Sequence, residues 1–207
     1  MSMAEWHKKA KPIILVLYIL GALFVVQCNL FGPEPGEPVF PAQIDLGDSA
    51  AVRAILDSNN LKNISVRRAI DPSSSGRITM LRFDSLALDS FRFSSDFQRL
   101  DSLWSVDLSK NRLTKVYVPD SLKYSKVIYL YFDQNMLTEF PIDVLKIVGL
   151  WSVNVQYNKI STISQALINS GFRQIYLEHN KLCSVSDSVR IWPDSVLVGW
   201  ANFQDCP

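Results

Sequence analysis

The sequence predicts an α/β solenoid with short parallel strands on its concave face. An eleven-residue pattern recurs down the chain, with apolar positions 1, 4, 6 and 11 and asparagine at position 9. Successive copies start 25, 24, 23 and 22 residues apart. Each copy holds an apolar–polar–apolar triplet, which is typical of a strand with one buried face. Because a single copy cannot bury that face alone, neighbouring copies must stack.

Five copies fit the pattern, starting at residues 78, 103, 127, 150 and 172. Positions 4 and 6 are expected to point inward, and positions 3, 5 and 7 toward solvent. The first copy has Leu86 at position 9, and the other four have Asn111, Asn135, Asn158 and Asn180.

These copies, over residues 78–182, resemble the leucine-rich repeat, whose units run about 20–29 residues. The resemblance implies that the position-9 asparagines lie where the chain turns inward. Their amides would satisfy backbone groups of adjacent coils and form a structural ladder. Short helical turns starting near Pro119 and Pro141 are expected between the strands.

Residues 1–28 are predicted to be an export signal. An apolar run from Ile13 to Val26 follows three cations, Lys8, Lys9 and Lys11. The run suits a signal peptide and is short for a membrane span, which needs about 20 apolar residues. It ends near Cys28, which is similar to the lipidated cysteine of bacterial lipoproteins, although Gln27 stands where a small residue is usual. Ordinary secretion with cleavage near Ala22 and an uncleaved anchor are the alternatives.

Residues 29–43 are predicted to be a proline-rich, extended linker, with a leader that has no role as the alternative. Residues 44–77 are predicted to be an N-terminal cap. Within it, Asp48 to Asn59 has the apolar spacing of an amphipathic helix, which Asp48 or Ser49 can cap. A degenerate first strand is expected at Leu61, Ile64 and Val66.

Residues 183–207 leave the repeat and carry enough apolar side chains to seal the last coil as a C-terminal cap. The family that the repeats resemble commonly has cysteine-bearing caps at this end in extracellular members. Disulfides also form readily in exported chains. We therefore expect Cys183 and Cys206 to form a disulfide.

The residue inventory argues against an enzyme. The two histidines are His7, in the predicted signal, and His179, in the last repeat. No G-x-S-x-G elbow and no glycine-rich phosphate loop occur. Two sulfurs and one histidine do not make a zinc set. A net charge of +1 without a basic stripe argues against nucleic acid as a partner. We predict no catalytic residue, cofactor or metal.

The outward strand positions predict a binding surface. Exposed tyrosines among carboxylates and amides resemble a recognition surface, because tyrosine supplies a large contact area and a polar tip. The alternatives are the ordinary preference of strands for aromatic residues and ordinary solvated carboxylates. Trp104 and Trp151, at position 2, are interpreted as flank packing. The predicted partner-binding residues are Tyr129, Tyr131, Tyr157, Tyr176, Asp107, Asp133, Glu178 and Arg82.

The leading functional hypothesis is a non-enzymatic protein–protein interaction module, exported to the cell envelope or surface or secreted. It would bind a protein or peptide through the concave face and meet a membrane only through its N-terminal anchor. The resemblance supplies this as a class expectation, since a fold does not fix a function. The alternatives are recognition of a polysaccharide, with the tyrosines as stacking platforms, and a structural spacer of the envelope.

Overall fold

The computed structural model describes residues 13–19, 22–28, 43–168, 173–184, 197–198 and 203–206. The chain divides into two compact units, Met1–Val39 and Phe40–Pro207. The predicted linker, apart from Gln43, and most of the predicted C-terminal cap lie outside the described residues.

The described part of the first unit is a pair of antiparallel strands, β1 (Ile13–Ile19) and β2 (Ala22–Cys28). Ile13 pairs with Cys28 and Ile19 with Ala22. Among the described residues of the whole chain, no helix is long and apolar enough to cross a membrane.

Seven strands form the main sheet of the second unit: β3 (Ile70–Pro72), β4 (Ile78–Arg82), β6 (Ser105–Asp107), β8 (Tyr129–Tyr131), β9 (Ser152–Asn154), β10 (Gln174–Tyr176) and β11 (Leu197–Val198). Their order is β11–β10–β9–β8–β6–β4–β3. Every neighbouring pair is parallel except β3 and β4. The five pattern triplets form β4, β6, β8, β9 and β10, so the predicted parallel strands are confirmed.

A second, smaller sheet pairs β5 (Ser90–Arg92) with β7 (Lys115–Tyr117) in parallel. Short 3₁₀ helices span Ser95–Arg99, Asp120–Tyr124 and Ile142–Lys146, and a short α-helix, Gln165–Ile168, follows. Pro119 and Pro141 directly precede two of the 3₁₀ helices, as expected from the fixed φ and missing N–H of proline.

The core lies behind the main sheet. Pattern positions 4 and 6, such as Val106 and Leu108, have no exposed surface. Four phenylalanines add an aromatic cluster at the first copy, with neighbouring ring centroids 4.8–5.2 Å apart. They are Phe83, Phe91, Phe93 and Phe97. Such ring pairs stabilise beyond their buried area by about 0.5–1.5 kcal/mol.

Three outward positions are buried, so the expectation that positions 3 and 7 all face solvent is wrong. Ser105 and Ser152, at position 3, are 1% and 6% exposed, and Ser109, at position 7, is 7% exposed. In the sheet register, Tyr129 lies between Ser105 and Ser152. The large ring covers its two small neighbours, because cross-strand side chains on one face are within contact distance.

The asparagines at position 9 join neighbouring coils. Asn135 accepts a hydrogen bond from the Leu113 N–H at 2.9 Å and donates to the Leu108 carbonyl at 3.0 Å, both in the preceding copy. It also donates to the Phe132 carbonyl of its own copy at 3.0 Å. Equivalent bonds are made by Asn111, Asn158 and Asn180. All four side chains are buried, so backbone groups at the inward turn are satisfied by protein.

Gln204 adds one more amide beyond the last asparagine. Its Oε1 accepts from the Leu182 N–H at 3.1 Å, and its Nε2 donates to the Leu177 carbonyl at 3.0 Å. These groups stand in the same positions of their copy as those that Asn135 bonds in the copy before it. The predicted disulfide is confirmed: Cys183 and Cys206 are bonded, which ties this segment to the last repeat.

A residue with left-handed backbone precedes position 9 in every copy. The five φ values lie between 54° and 59°. This conformation costs an L-residue about 1–2 kcal/mol, so the surrounding bonds must hold it. The residues are Ser85, Lys110, Gln134, Tyr157 and His179.

An amphipathic helix, α1 (Leu46–Ser58), precedes the repeats and ends at Asn59, as expected. Its N-cap is Asp45, whose side chain accepts from the Asp48 N–H at 2.9 Å; the prediction of Asp48 or Ser49 as the cap is wrong. Asp48 is 1% exposed and bonds elsewhere. It pairs with Arg77 at 2.9 Å and accepts from the Ile78 N–H at 2.9 Å, which joins the helix to β4.

The strand expected at Leu61, Ile64 and Val66 is not formed. Residues 66–69 are a 3₁₀ helix capped by Ser65, and the strand that pairs with β4 comes later, as β3. The Arg53 guanidinium explains the difference. It donates to the Ile64 carbonyl at 2.8 Å and to the Leu61 carbonyl at 3.0 Å. These two carbonyls are therefore bonded to a side chain of helix α1 and not to a neighbouring strand.

Candidate partner-binding face

The sheet register brings position 5 of each copy into one continuous row. Neighbours in this row are paired strand to strand across β4, β6, β8, β9 and β10. The row runs Arg82, Asp107, Tyr131, Asn154 and Tyr176. Four of the eight predicted partner-binding residues therefore lie side by side across the sheet. We call positions 3, 5 and 7 of these strands the sheet face.

Tyr131 stands at the centre of the sheet face. Burial raises the pKa of its phenol, and the nearby groups that raise it further are Tyr129, Asp107, Tyr176 and Asp133. All four are predicted partner-binding residues. With Tyr131 itself, five of the eight therefore share one electrostatic neighbourhood. A tyrosine phenol is neutral at physiological pH even at its ordinary pKa of about 10, so Tyr131 keeps its proton to donate.

Carboxylates give the centre of the sheet face a negative potential. Burial, supported by the charge of Asp107, raises the pKa of the Asp133 carboxyl. One oxygen of Asp107 accepts from the Ser109 N–H at 2.9 Å, a turn-stabilising bond that fixes this side chain. The Lys110 ammonium opposes the rise in the pKa of Asp133. Fixed carboxylates beside neutral phenols are suited to bind a cationic group.

Glu178 lies at the last-repeat end of the sheet face, and Tyr157 stands beside that face at position 8 of the fourth copy. The Gln156 amide donates to Glu178 Oε2 at 2.5 Å. Tyr157 is 51% exposed, and its ring stacks on that of His179 at 4.3 Å with an interplanar angle of 10°. His179 Nδ1 lies 3.2 Å from Asp205 Oδ1. Asp205 belongs to the C-terminal segment and to no copy of the pattern, so the sequence pattern does not predict its contact with His179.

Arg82 lies at the opposite end of the row. Its guanidinium is 3.8 Å from Asp84, which also pairs with Arg68 at 3.5 Å. Arg82 is exposed, but its positive charge is offset by Asp84 of the same copy. The face is therefore acidic at its centre and close to balanced at the first-repeat end.

Position 2 forms a separate row at the edge of the sheet. The interpretation of Trp104 and Trp151 as flank packing is only partly right, since they are 43% and 47% exposed. Trp104 meets Tyr129 edge to face at 5.5 Å, and the Arg173 guanidinium lies 5.2 Å from the Trp151 ring centre. Ile128 stands between them in the row and is 36% exposed.

Titratable groups do not gather into a metal site in the described part of the chain. No group of three or more histidine, cysteine, aspartate or glutamate side chains there could hold a metal ion. What the sheet face offers chemically is hydrogen bonding, aromatic contact and negative charge.

Comparison with known proteins gives one kind of match. No protein-family model matches the chain, and no curated protein does. Among solved structures, the chain is similar to the LRR ectodomain of the receptor kinase SOBIR1 from Arabidopsis thaliana, with 19% sequence identity and a TM-score of 0.48. The match covers 80% of this chain and 98% of that one. The leucine-rich repeat predicted from the sequence is confirmed as a fold by this chain's own parallel strands and position-9 amides.

Proposed function

We propose that the protein is a non-enzymatic interaction module that binds a protein or peptide across its sheet face. The observation that carries this proposal is the grouping of tyrosines and carboxylates around Tyr131, in a row set by strand register. Tyrosine is enriched at protein interfaces because it combines a large apolar surface with a hydrogen-bonding tip. The partner that fits best is a peptide segment whose cationic side chains lie opposite Asp107 and Asp133.

The same proposal includes the overall shape of the repeat unit. The repeats stack as a solenoid, with the main sheet on its concave side and β5 and β7 on the other. Helix α1 serves as the N-terminal cap, and residues 183–207 serve as the C-terminal cap. The registered strands, the buried Asp48 that joins α1 to β4, and Gln204 beside the disulfide support this arrangement.

The location is proposed from sequence. Residues 1–28 export the chain, Cys28 is lipidated, and residues 29–43 act as a tether between the envelope and the repeats. The basic start, the apolar run and the proline-rich stretch support these three steps. The disulfide is consistent with an oxidising compartment.

A protein partner is favoured over a polysaccharide by the geometry at Tyr157. A sugar would stack on an open aromatic ring, and one face of the Tyr157 ring is already covered by His179. Tyr131 is also half-buried. Such rings present edges and hydroxyls more than open faces, which suits a peptide backbone and polar side chains.

Site-specific photo-cross-linking tests the proposal. A photoreactive benzoyl-phenylalanine replaces Tyr129 on the sheet face in one variant and Tyr117 in a matched control. Tyr117 is 38% exposed and lies on β7, outside the sheet face. In the native host, we expect a discrete protein adduct at residue 129 and none at residue 117. An adduct with polysaccharide would support the glycan alternative, and equal labelling at both positions would contradict a specific face.

Affinity for the captured protein then tests the residues. Tyr131→Ala is expected to weaken binding at least about tenfold, since tyrosines at the centre of an interface are frequent hot spots. Tyr117→Ala is expected to leave it unchanged. An unchanged affinity for both variants would reject the sheet face as the binding surface.

A further inference from the structure

An exposed apolar row runs along the N-terminal edge of the parallel strands. It consists of Trp104, Ile128 and Trp151, and we call it the edge ridge. Its members are 36–47% exposed. Backbone bonds of 2.9 Å from Ile128 to Trp104 and from Trp151 to Ile128 hold them in order. Because neighbouring strands are about 4.8 Å apart, the backbone positions that carry the two indoles are about 10 Å apart.

Positive charge flanks the edge ridge. Arg173 occupies the next position 2 and lies against Trp151. Lys126 is exposed and directly precedes the copy that contains Ile128. Neither cation forms an ion pair within the part of the chain that the structure describes. Asp101, an exposed carboxylate at the same edge, lies 3.9 Å from Arg77, which also pairs with the buried Asp48. Counted over these five side chains, three cations face two carboxylates, so the edge combines tryptophan with a small excess of positive charge.

The chain enters the repeat unit at this same edge. The Asp45 N–H donates to the Gly76 carbonyl at 3.1 Å. Gly76, with φ +81°, lies so close to Gln43 that a Cβ there would be 2.4 Å from the Gln43 carbonyl oxygen. Gly76 stands two residues before β4, on the N-terminal side of that strand. Gln43, the first described residue of the repeat unit, therefore lies on the side of the sheet that carries the edge ridge.

We propose that the edge ridge docks onto an anionic lipid surface. Tryptophan is favoured at membrane interfaces because one end of the indole is apolar and the other is polar. Lysine and arginine near the surface are attracted by anionic headgroups. A single weak anchor binds a membrane only marginally, so a second contact beside the tether makes attachment stable. Position 2 lies outside the sheet face, so docking leaves that face open. This inference is separate from partner binding and stands if that proposal fails, but it rests on the proposed export and tether.

Spin labels on the full-length chain test the docking. With Cys28→Ser removing the competing thiol, and with it the proposed lipid, a nitroxide is attached at Ile128→Cys on the edge ridge and read at saturating vesicle concentration, where docking does not depend on the anchor. The matched control carries it at Met136→Cys, which is 40% exposed and lies after the strand, at the other edge. Both labels share one tether, so any difference between them reports the orientation of the repeat unit. On vesicles of phosphatidylcholine with phosphatidylglycerol, we expect the label at residue 128 to gain collisions with oxygen and lose collisions with a nickel chelate. The label at residue 136 should keep its values in solution.

The charge contribution is tested on the same label. On vesicles of phosphatidylcholine alone, the change at residue 128 should be smaller. Arg173→Gln and Lys126→Gln should each lower the docking equilibrium constant about fivefold on anionic vesicles. If both labels stay equally accessible to the chelate on anionic vesicles, the proposal is wrong. Spin–spin broadening at residue 128 without vesicles would show that a second copy covers the ridge, and would also overturn it.

Discussion

At the residue scale, one amide per repeat serves two coils. Asn135 bonds a donor and an acceptor of the preceding copy and an acceptor of its own. Asparagine presents an amide oxygen and two N–H donors from one short, uncharged side chain, so a single residue can accept one bond and donate the others. Leu86 replaces the amide in the first copy, where β4 pairs with the antiparallel β3 and no earlier repeat requires bridging.

Replacing one ladder amide tests this reasoning. Asn135→Leu keeps the number of side-chain heavy atoms and leaves the Leu113 N–H buried without a partner, while the Leu108 and Phe132 carbonyls keep their bonds from Asn111 and Asn158. Because one such group costs about 1–3 kcal/mol, we expect the free energy of unfolding to fall by about 2 kcal/mol. Urea denaturation measures it. Thr138→Leu, at an exposed position in the same copy, is the control and should change stability little. Equal, small losses in both variants would show that water satisfies this group.

Replacing Asp133 should raise the stability of the protein by an amount that depends on pH. Burial and then Asp107 raise its pKa in the folded protein, so the folded state binds this proton more readily than the unfolded chain. Stability from this group therefore falls as pH rises between the ordinary carboxylate pKa and the raised one. Asp133→Asn should raise the free energy of unfolding at neutral pH and leave it unchanged below the ordinary carboxylate pKa. Urea denaturation at both pH values measures this.

The control for this prediction is Asp101→Asn. The Asp101 side chain is 69% exposed, so removing its charge should change stability little at either pH. A gain from Asp133→Asn that is the same at acidic and neutral pH would mean that packing, and not ionisation, causes it.

At the element scale, the repeated strands and helix α1 were predictable, and the strand after α1 was not. The triplets at Val106–Leu108 and Val153–Val155 predict strands because their spacing recurs with the pattern, and the observed strands start one residue earlier. The segment after α1 has similar apolar residues, but Arg53 binds its carbonyls, a tertiary contact that no local pattern contains. Gln204 could not be predicted for a related reason. Leu197 pairs with Ile175 and so stands at pattern position 4. Position 9 counted from there is residue 202, two residues before Gln204.

The candidate site shows the same division. Register alone predicts that Asp107, Tyr131 and Tyr176 share a row, since parallel strands in step align equal positions. The burial of Ser105 required knowing that Tyr129 is its neighbour. The stack of Tyr157 on His179 joins position 8 of adjacent copies, whereas the contact of His179 with Asp205 depends on where the disulfide brings the C-terminal segment.

Opening the disulfide tests whether it holds the last amide in place. Replacing Cys183 and Cys206 by serine removes a link between residues 23 apart, which should lower the free energy of unfolding by about 3 kcal/mol. Hydrogen exchange gives the sharper result. The Leu182 amide, bonded to Gln204, should exchange much faster, while the Leu137 amide, bonded to Asn158, should change only with global stability. Equal acceleration at both would show that the segment stays docked without the disulfide.

At the scale of the whole molecule, stability in a stacked repeat comes from contacts between neighbours. Each copy meets the next through one three-residue strand, one buried amide and the side chains at positions 4 and 6. Copy 4 offers groups of the same kind as copy 3 at these positions: Val153 corresponds to Leu130, Val155 to Phe132, and Asn158 to Asn135. Copy 4 could therefore take the place of copy 3 beside copy 2.

Deleting one whole copy tests the proposed solenoid. Removing the 23 residues from Val127 to Gly149 brings Leu150 directly after Lys126 and keeps the pattern in step. We expect a folded, cooperatively unfolding protein of lower stability, because Asn158 can then bond the Leu113 N–H as Asn135 does now. The dependence of the free energy on urea should fall with the surface lost. The control removes residues 127–138, about half a unit, which joins a strand end to a convex turn and should abolish cooperative unfolding. If both deletions unfold the chain, the copies depend on the whole molecule and not on their neighbours, and the repeat unit is one indivisible core.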